Sequence, residues 1–227
     1  MKLTAKIEAI KIIAKNTAEV DFLVPAGEFN FRAGQYVSVT LPSLKNLELR
    51  EQFRDFSIAS SPTELPRLSI SFRVSESVFK QTLLAMGIGD EIIIEGPAGV
   101  FTLPESGEKP LVFIAGGIGI DPFRSMLKFV TEKNLPYKIT LLYFNRSAES
   151  AAYLAELETL SQKNPSLKIV NVLGPLEEKH ISDLMAPEAI WYIAGPPGMV
   201  HAAREVLTKN GIMDINIKTE EFSGYRI

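Results

Sequence analysis

The spacing of apolar residues changes once along this chain, near residue 105, and the change requires two domains of different architecture. Before it, short β-branched or aromatic segments follow one another: Lys2–Lys15, Ala18–Val24, Gln35–Leu41, Phe53–Ala59, Arg67–Val74 and Glu91–Glu95. Turn formers separate them, at Pro25-Ala26-Gly27, Ala33-Gly34, Pro42-Ser43 and Ser61-Pro62. One helix fits, from Ser77 to Met86, ended by Gly87. Many short strands with a single helix predict an antiparallel barrel. After the change, apolar runs alternate with helical patterns: Leu111–Ala115 then Pro122–Glu132, Lys138–Phe144 then Ala148–Gln162, Lys168–Leu173, Ala189–Ala194 then Pro197–Asn210, and Ile215–Thr219. Unbroken apolar strands alternating with helices predict a parallel sheet covered on both faces. The polar stretch Pro104–Pro110 divides the chain into domains 1–104 and 110–227. The length of 227 residues suits two domains of roughly 100–120 residues each.

Composition removes several function classes. The net charge is −3, so neither nucleic acid nor an anionic membrane surface is an expected partner. The chain has no cysteine, which excludes disulfides, zinc thiolates, cysteine nucleophiles and Cys-ligated iron–sulfur clusters. His180 and His201 are too far apart in sequence for a local metal motif, and no metal site is expected. Lys2 is followed by charges at Lys6, Glu8 and Lys11 and by no long apolar stretch, unlike a signal peptide. The longest apolar run, Leu111–Ile120, is about half the ~20 residues of a membrane helix. The expectation is a soluble, unprocessed, cytoplasmic protein.

Four stations carry candidate chemistry. In Ile114-Ala115-Gly116-Gly117-Ile118-Gly119-Ile120-Asp121-Pro122, an apolar strand ends in glycines and a helix follows, with Asp121 as N-cap and Pro122 at N1. Glycines there admit a phosphate to the backbone, and the helix start supplies N–H donors. A tight turn that binds nothing has the same signature, and Pro122 departs from the G-x-G-x-x-G dinucleotide pattern. Arg54-Asp55-Phe56-Ser57 ends a strand with groups suited to a phosphate, a flat ring and a ring nitrogen. By alternation Arg54, Phe56 and Ile58 share one face and Ser57 the other; the plain alternative is a core phenylalanine beside a solvated arginine. Arg73-Val74-Ser75-Glu76-Ser77-Val78 precedes the first helix, which Ser77 can cap. Gly195-Pro196-Pro197-Gly198-Met199 follows an apolar strand and opens another helix, at the sheet edge where nucleotides bind in such folds.

In their order and spacing these stations, with Gly96-Pro97-Ala98-Gly99-Val100-Phe101-Thr102-Leu103 and the terminal Glu220-Glu221-Phe222-Ser223-Gly224-Tyr225, resemble the ferredoxin–NADP reductase superfamily over nearly the whole chain. The resemblance implies a flavin-binding six-stranded barrel with one capping helix, then a five-stranded parallel nucleotide-binding domain. It places Arg54 on the flavin pyrophosphate, Phe56 on the ring or ribityl region and Ser57 near flavin N5. Arg73 and Val74 would line the flavin, with Ser75, Ser77 and Val78 near its phosphates. Gly116, Gly117, Gly119, Asp121 and Gly195, Pro196, Gly198 and Met199 would hold the nicotinamide nucleotide, and Phe222 and Tyr225 would lie near the flavin. The chain departs from the family at three positions. Phe56 replaces a usual tyrosine, Asp121 a usual threonine, and Ala194 a cysteine found in many relatives. Asp121 is expected to cap its helix or to pair with Arg124.

The implied reaction is hydride transfer from NAD(P)H to FAD, preferred over FMN by the family pattern, with electrons passed on to a separate acceptor. That acceptor is a ferredoxin, a flavodoxin, an oxygenase or other subunit, or a small molecule. Glu221 is the candidate proton handler beside Ser57, an exposed tail glutamate being the plainer reading. Arg146 and Ser147 suit a 2′-phosphate and favour NADPH, whereas Glu149 suits a ribose hydroxyl. Two further readings stay open: a weakly catalytic or non-catalytic flavin-binding subunit that docks to an electron-transfer partner, and a cofactor-free interaction module.

Overall fold

Alternation sets the first strand: Leu3, Ala5 and Ile7 are buried while Lys2, Thr4, Lys6 and Glu8 are exposed, as a sheet with one solvated face demands. The computed structural model describes residues 1–222, without the side chains of Leu49 and Arg50. Strand β1 (Lys2–Ala14) pairs antiparallel with β2 (Thr17–Leu23) and with β6 (Glu91–Ala98). Strand β3 (Tyr36–Thr40) lies between β6 and β4 (Phe53–Ser57), and β5 (Arg67–Arg73) pairs with β2. The order is therefore β4-β3-β6-β1-β2-β5. An antiparallel bridge from Ile58 to Ile70 joins the two ends and closes the barrel. A short turn of helix, α1 (Leu49–Gln52), precedes β4, and α2 (Val78–Ala85) plugs the barrel with Phe79 and Leu83. The helix expected from Ser77 to Met86 is thus present, with both of those residues serving as its caps.

The second sheet is parallel throughout. It contains β7 (Leu111–Gly116), β8 (Ile139–Asn145), β9 (Leu167–Leu173), β10 (Ile190–Gly195) and β11 (Ile217–Glu221), in the order β11-β10-β7-β8-β9. Every residue of β7 is buried, because helices cover both faces. On one face Phe113, Tyr143 and Tyr192 pack on Phe123 and Met126 of α3 (Asp121–Glu132) and Leu157 of α4 (Leu154–Lys163). On the other, Val112, Leu142 and Trp191 pack on Ile181 of α5 (Glu178–Ser182) and on Val200 and Leu207 of α6 (Pro197–Lys209). The helix expected from Ala148 starts later, at Leu154. A 3-10 turn occupies Ala148–Ser150, held by mutual Ser147–Ser150 bonds, and Tyr153 takes a left-handed φ of 63°. Strand order reverses between β7 and β10, so the ligand crevice of such sheets falls at the carboxyl ends of these two strands. Among the described residues no helix is long and apolar enough to cross a membrane.

Charged groups pin the two sheets together. Arg124 on α3 donates to the Ala59 carbonyl (2.7 Å) and to Glu156 (2.7 and 3.0 Å), and lies 3.4 Å from Glu64. It is 7% exposed, so cutting it away leaves a buried carbonyl and carboxylate short of a partner. We expect Arg124→Met to cost about 2–4 kcal/mol. This is below the ~3–5 of a fully broken buried pair, because Arg67 (2.9 Å) and Lys128 (3.3 Å) still reach Glu64. An unchanged urea midpoint would show that the network is not what holds the seam.

Candidate functional site

The last residue of β4 meets the end of β11. The Ser57 hydroxyl donates to Glu220 Oε1 at 2.5 Å, joining residues 163 apart in sequence. Ser57 is buried, opposite Tyr36 on β3, and Glu220 stands opposite Ala194 on β10. Burial raises the Glu220 carboxyl above the usual range, and the Ser57 bond offsets part of the rise. A carboxyl that holds its proton more firmly than usual, wired to a hydroxyl at the mouth of the crevice, is equipped for proton transfer.

Glu221, the acid expected from the sequence, is the neighbour of the residue that bonds Ser57. Adjacent strand residues face opposite ways, so Glu221 turns to solvent, 3.6 Å from His201 Nε2. Glu220 was overlooked because either glutamate fits a terminal acid; only the pairing of β11 with β10 decides between them. Phe222 donates its N–H to the Gly195 carbonyl (3.1 Å) and packs against the second core. Tyr225 lies outside the described residues.

Arg54 and Phe56 both face inward, as alternation requires. Phe56 tilts against Phe72 and Phe79, with ring centroids 5.7 and 6.0 Å away. It is 8% exposed and belongs to the barrel core. The Arg54 guanidinium carbon lies 5.6 Å from the Phe79 ring centre. Arg73, expected to line the flavin, also joins loops of both domains. Its guanidinium donates to the Lys15 carbonyl (2.8 Å), to Thr17 Oγ1 and to the Ser150 carbonyl (2.9 Å), tying the β1–β2 turn to the loop after β8. Val74 is half-buried and donates its N–H to the Asn16 carbonyl (2.9 Å).

At α2, Ser77 holds the cap position, but its hydroxyl makes no cap bond. Its N–H is 3.5 Å from Ser75 Oγ, and Val78 is half exposed. A residue overlooked in the sequence stands on this first turn. Lys80 donates to the Arg73 carbonyl (3.0 Å) and lies 5.7 Å from the Phe72 ring centre. Burial and, secondarily, Arg54 lower its pKa. A basic residue three places past the cap of a Ser-rich turn was the available signal.

The glycine turn after β7 forms a 3-10 segment, Gly117–Ile120. A Cβ on Gly116 would come within 2.5 Å of Met199 Sδ, and one on Gly119 within 2.2 Å of the Ala194 carbonyl oxygen. These two glycines let β7 and β10 close on each other whether or not a phosphate also needs them. Gly198, by contrast, faces open space. Asp121 departs from both of its expected roles. It is the first residue of α3, with Ile120 as cap and Pro122 second, and its carboxylate makes no cap bond. It accepts instead from Ser71, from the N–H at 3.2 Å and from the hydroxyl at 2.6 and 2.8 Å. Arg124 is engaged by Glu64, Glu156 and the Ala59 carbonyl. At the end of β8, Arg146 is exposed, Ser147 is bound to Ser150, and Glu149 lies 3.4 Å from Lys15. Beside them the Asn145 side-chain oxygen is buried without a hydrogen-bond partner. Among the described residues, no acidic, histidine or cysteine cluster could hold a metal ion.

Comparison with known proteins agrees with this arrangement. Residues 4–103 match the oxidoreductase FAD-binding domain family, and residues 113–205 match the oxidoreductase NAD-binding domain family. The reductase component of propane 2-monooxygenase from Rhodococcus jostii is 29% identical over 218 residues, which is 88% of this chain and 57% of that protein. This chain therefore spans little more than half of that relative. Among solved structures, an Amycolatopsis cytochrome P450 reductase superposes with a TM-score of 0.86 at 25% identity, covering 98% of this chain and 70% of that one. The ferredoxin–NADP+ reductase of Plasmodium falciparum gives 0.81 at 21% identity, covering 97% and 96%. An FAD-binding barrel followed by an NAD-binding parallel sheet, matched from one end of the described chain almost to the other, makes this protein a member of the ferredoxin–NADP reductase superfamily.

Proposed function

We propose that the chain is a flavin-dependent NAD(P)H reductase that takes a hydride onto bound FAD and passes the electrons to a separate acceptor. The observation that carries this reading is the Ser57–Glu220 pair, because it puts a protonatable group where the nucleotide edge of the parallel sheet meets the barrel. Bound flavin supplies the redox chemistry, and the protein supplies placement and proton traffic. Ser57 presents a hydroxyl at the crevice, and Glu220 behind it holds or returns a proton through that hydroxyl. Arg54, Lys80 and the uncapped first turn of α2, with Ser75, Ser77 and Val78, form the anion-binding group for the FAD diphosphate. Gly116, Gly117, Gly119 and Gly195–Met199 take the nicotinamide nucleotide. The exposed Arg146, with Ser147, favours NADPH.

The working division is a flavin domain over 1–104 and a nucleotide domain over 110–227. The relative's name, a monooxygenase reductase component, points to an oxygenase-type acceptor, with a ferredoxin or flavodoxin as the other protein candidates. The test is an anaerobic absorbance spectrum of the FAD-reconstituted protein before and after NADPH, then NADH. We expect a flavin band that bleaches, faster with NADPH. A flavin band that neither nucleotide bleaches would overturn hydride transfer and leave a flavin-binding docking subunit.

A further inference from the structure

Two rows of side chains on the α6 face of the parallel sheet end in glycine. Along β7, Val112 and Ile114 lead to Gly116; along β10, Trp191 and Ile193 lead to Gly195. The space above the two glycines is filled from α6. A Cβ on Gly116 would lie 2.5 Å from Met199 Sδ and 2.7 Å from Met199 Cε, and one on Gly195 would lie 2.9 Å from the same Cε. Gly195 has a φ of +152°, which itself favours glycine. Gly116 has a φ of −114°, ordinary extended backbone that any residue adopts. Apart from Met199, only Pro196 Cδ at 3.0 Å crowds a side chain there. A methyl group at position 116 would fill this space permanently. Instead it holds the end of an unbranched thioether, which turns about three bonds. Met199 is half-buried, and Gly198 beside it faces open space.

We propose that Met199 is a movable filler, which rests over Gly116 and Gly195 until the nicotinamide half of the dinucleotide displaces it. The inference rests on the reading of these residues as the nucleotide site and adds which half of the ligand meets resistance. Gly195 follows Ala194, which stands opposite Glu220, the partner of Ser57, so the crevice between β7 and β10 is the end where the reacting ring belongs. Arg146 and Ser147, which suit the adenosine end, lie beyond β8 on the other side of β7. Moving Met199 aside exposes part of its apolar side chain to water, and that cost lowers the apparent affinity for any ligand that needs the space. A ligand confined to the end of β8 meets no such cost.

Calorimetric titration of the full, FAD-loaded chain with NADP+ and with 2′,5′-ADP tests this, because the second ligand is the adenosine half alone. Met199→Ala is expected to bind NADP+ about fivefold more tightly than the wild type, the opening cost of a half-buried methionine, and 2′,5′-ADP within about twofold. NADP+ binding that is unchanged or weaker overturns the proposal. A gain shared by both ligands also overturns it, since that is a loosening of the whole domain. A wild-type chain that binds neither ligand overturns the nucleotide site and this inference together. The readout is binding, so it stands apart from hydride transfer: flavin that NADPH fails to bleach would remove the reductase and not the filler. A second measurement serves if the Ala variant does not fold. The chain has 6 methionines, and with a 13C label on each Cε the signal missing from Met199→Leu is that of Met199. In the wild-type chain this signal must shift with NADP+ and hold its place with 2′,5′-ADP; a signal that NADP+ leaves in place overturns the proposal.

Discussion

Glu220→Gln is expected to slow reoxidation of the NADPH-reduced flavin by a one-electron acceptor about 10²-fold or more, the range for loss of a positioned acid or base, because the hydrogen that arrives as hydride must leave as a proton, while flavin content is unchanged. Glutamine keeps the length of the side chain and still accepts from the Ser57 hydroxyl, but it carries no transferable proton. The loss would therefore lie in the proton step and not in assembly of the crevice. Ser57→Ala breaks the same path from its other end. The double variant should be little worse than either single one, as for residues that act as a unit. The wild-type rate should also carry a pH limb above the ordinary carboxylate range, since burial raises Glu220, and that limb should vanish in the Gln variant. Glu221→Gln is the control: exposed and only 3.6 Å from a surface histidine, it should change the rate by less than about twofold. Stopped-flow reoxidation of the NADPH-reduced flavin across pH separates these outcomes. A Glu220→Gln enzyme that reoxidises its flavin at the wild-type rate would remove the proton path from the proposed function.

The contrast between Glu220 and Glu221 shows where sequence reading stops. Both sheets were legible because each has a periodicity: alternation in β1, and continuous apolar strands in β7 and β10. Ser57 was legible because strand alternation separates it from Arg54 and Phe56. Which of two adjacent glutamates turns inward depends on the register of β11 against β10, a pairing that local pattern does not encode. The same limit applies at Arg73 and Asp121. Each sits in a motif that suggests a ligand, and each side chain also reaches a partner fifty or more residues away. At Phe56 alternation allows both a stacking surface and a core ring. Its ring neighbours, Phe72 and Phe79, come from β5 and α2, which local pattern does not name.

Glycines pose this ambiguity most sharply, and substitution at two of them separates packing from binding. Gly119→Ala puts a Cβ 2.2 Å from the Ala194 carbonyl oxygen and 2.7 Å from the Gly195 nitrogen. Both are backbone atoms of a central strand and cannot swing aside, so the 3-10 turn must move off β10. Overpacking of this kind costs ~1–3 kcal/mol and sometimes more. We place this variant at the upper end, because the turn also sets the start of α3 and with it the Asp121–Ser71 contact. Gly198→Ala has nothing within 4 Å of the new methyl group and sits in the first turn of α6. Lower freedom in the unfolded chain should make it neutral or more stable by about 0.4–1 kcal/mol. If Gly198 is kept open for a nucleotide, the more stable variant should still bind NADPH more weakly. Urea midpoints and nucleotide titrations on the two proteins read the two effects independently. Gly119→Ala should lose stability and nucleotide together, and Gly198→Ala nucleotide alone. A Gly198→Ala protein with unchanged affinity would move the nucleotide away from the start of α6, and a Gly119→Ala protein of wild-type stability would mean that β10 yields to the new methyl group.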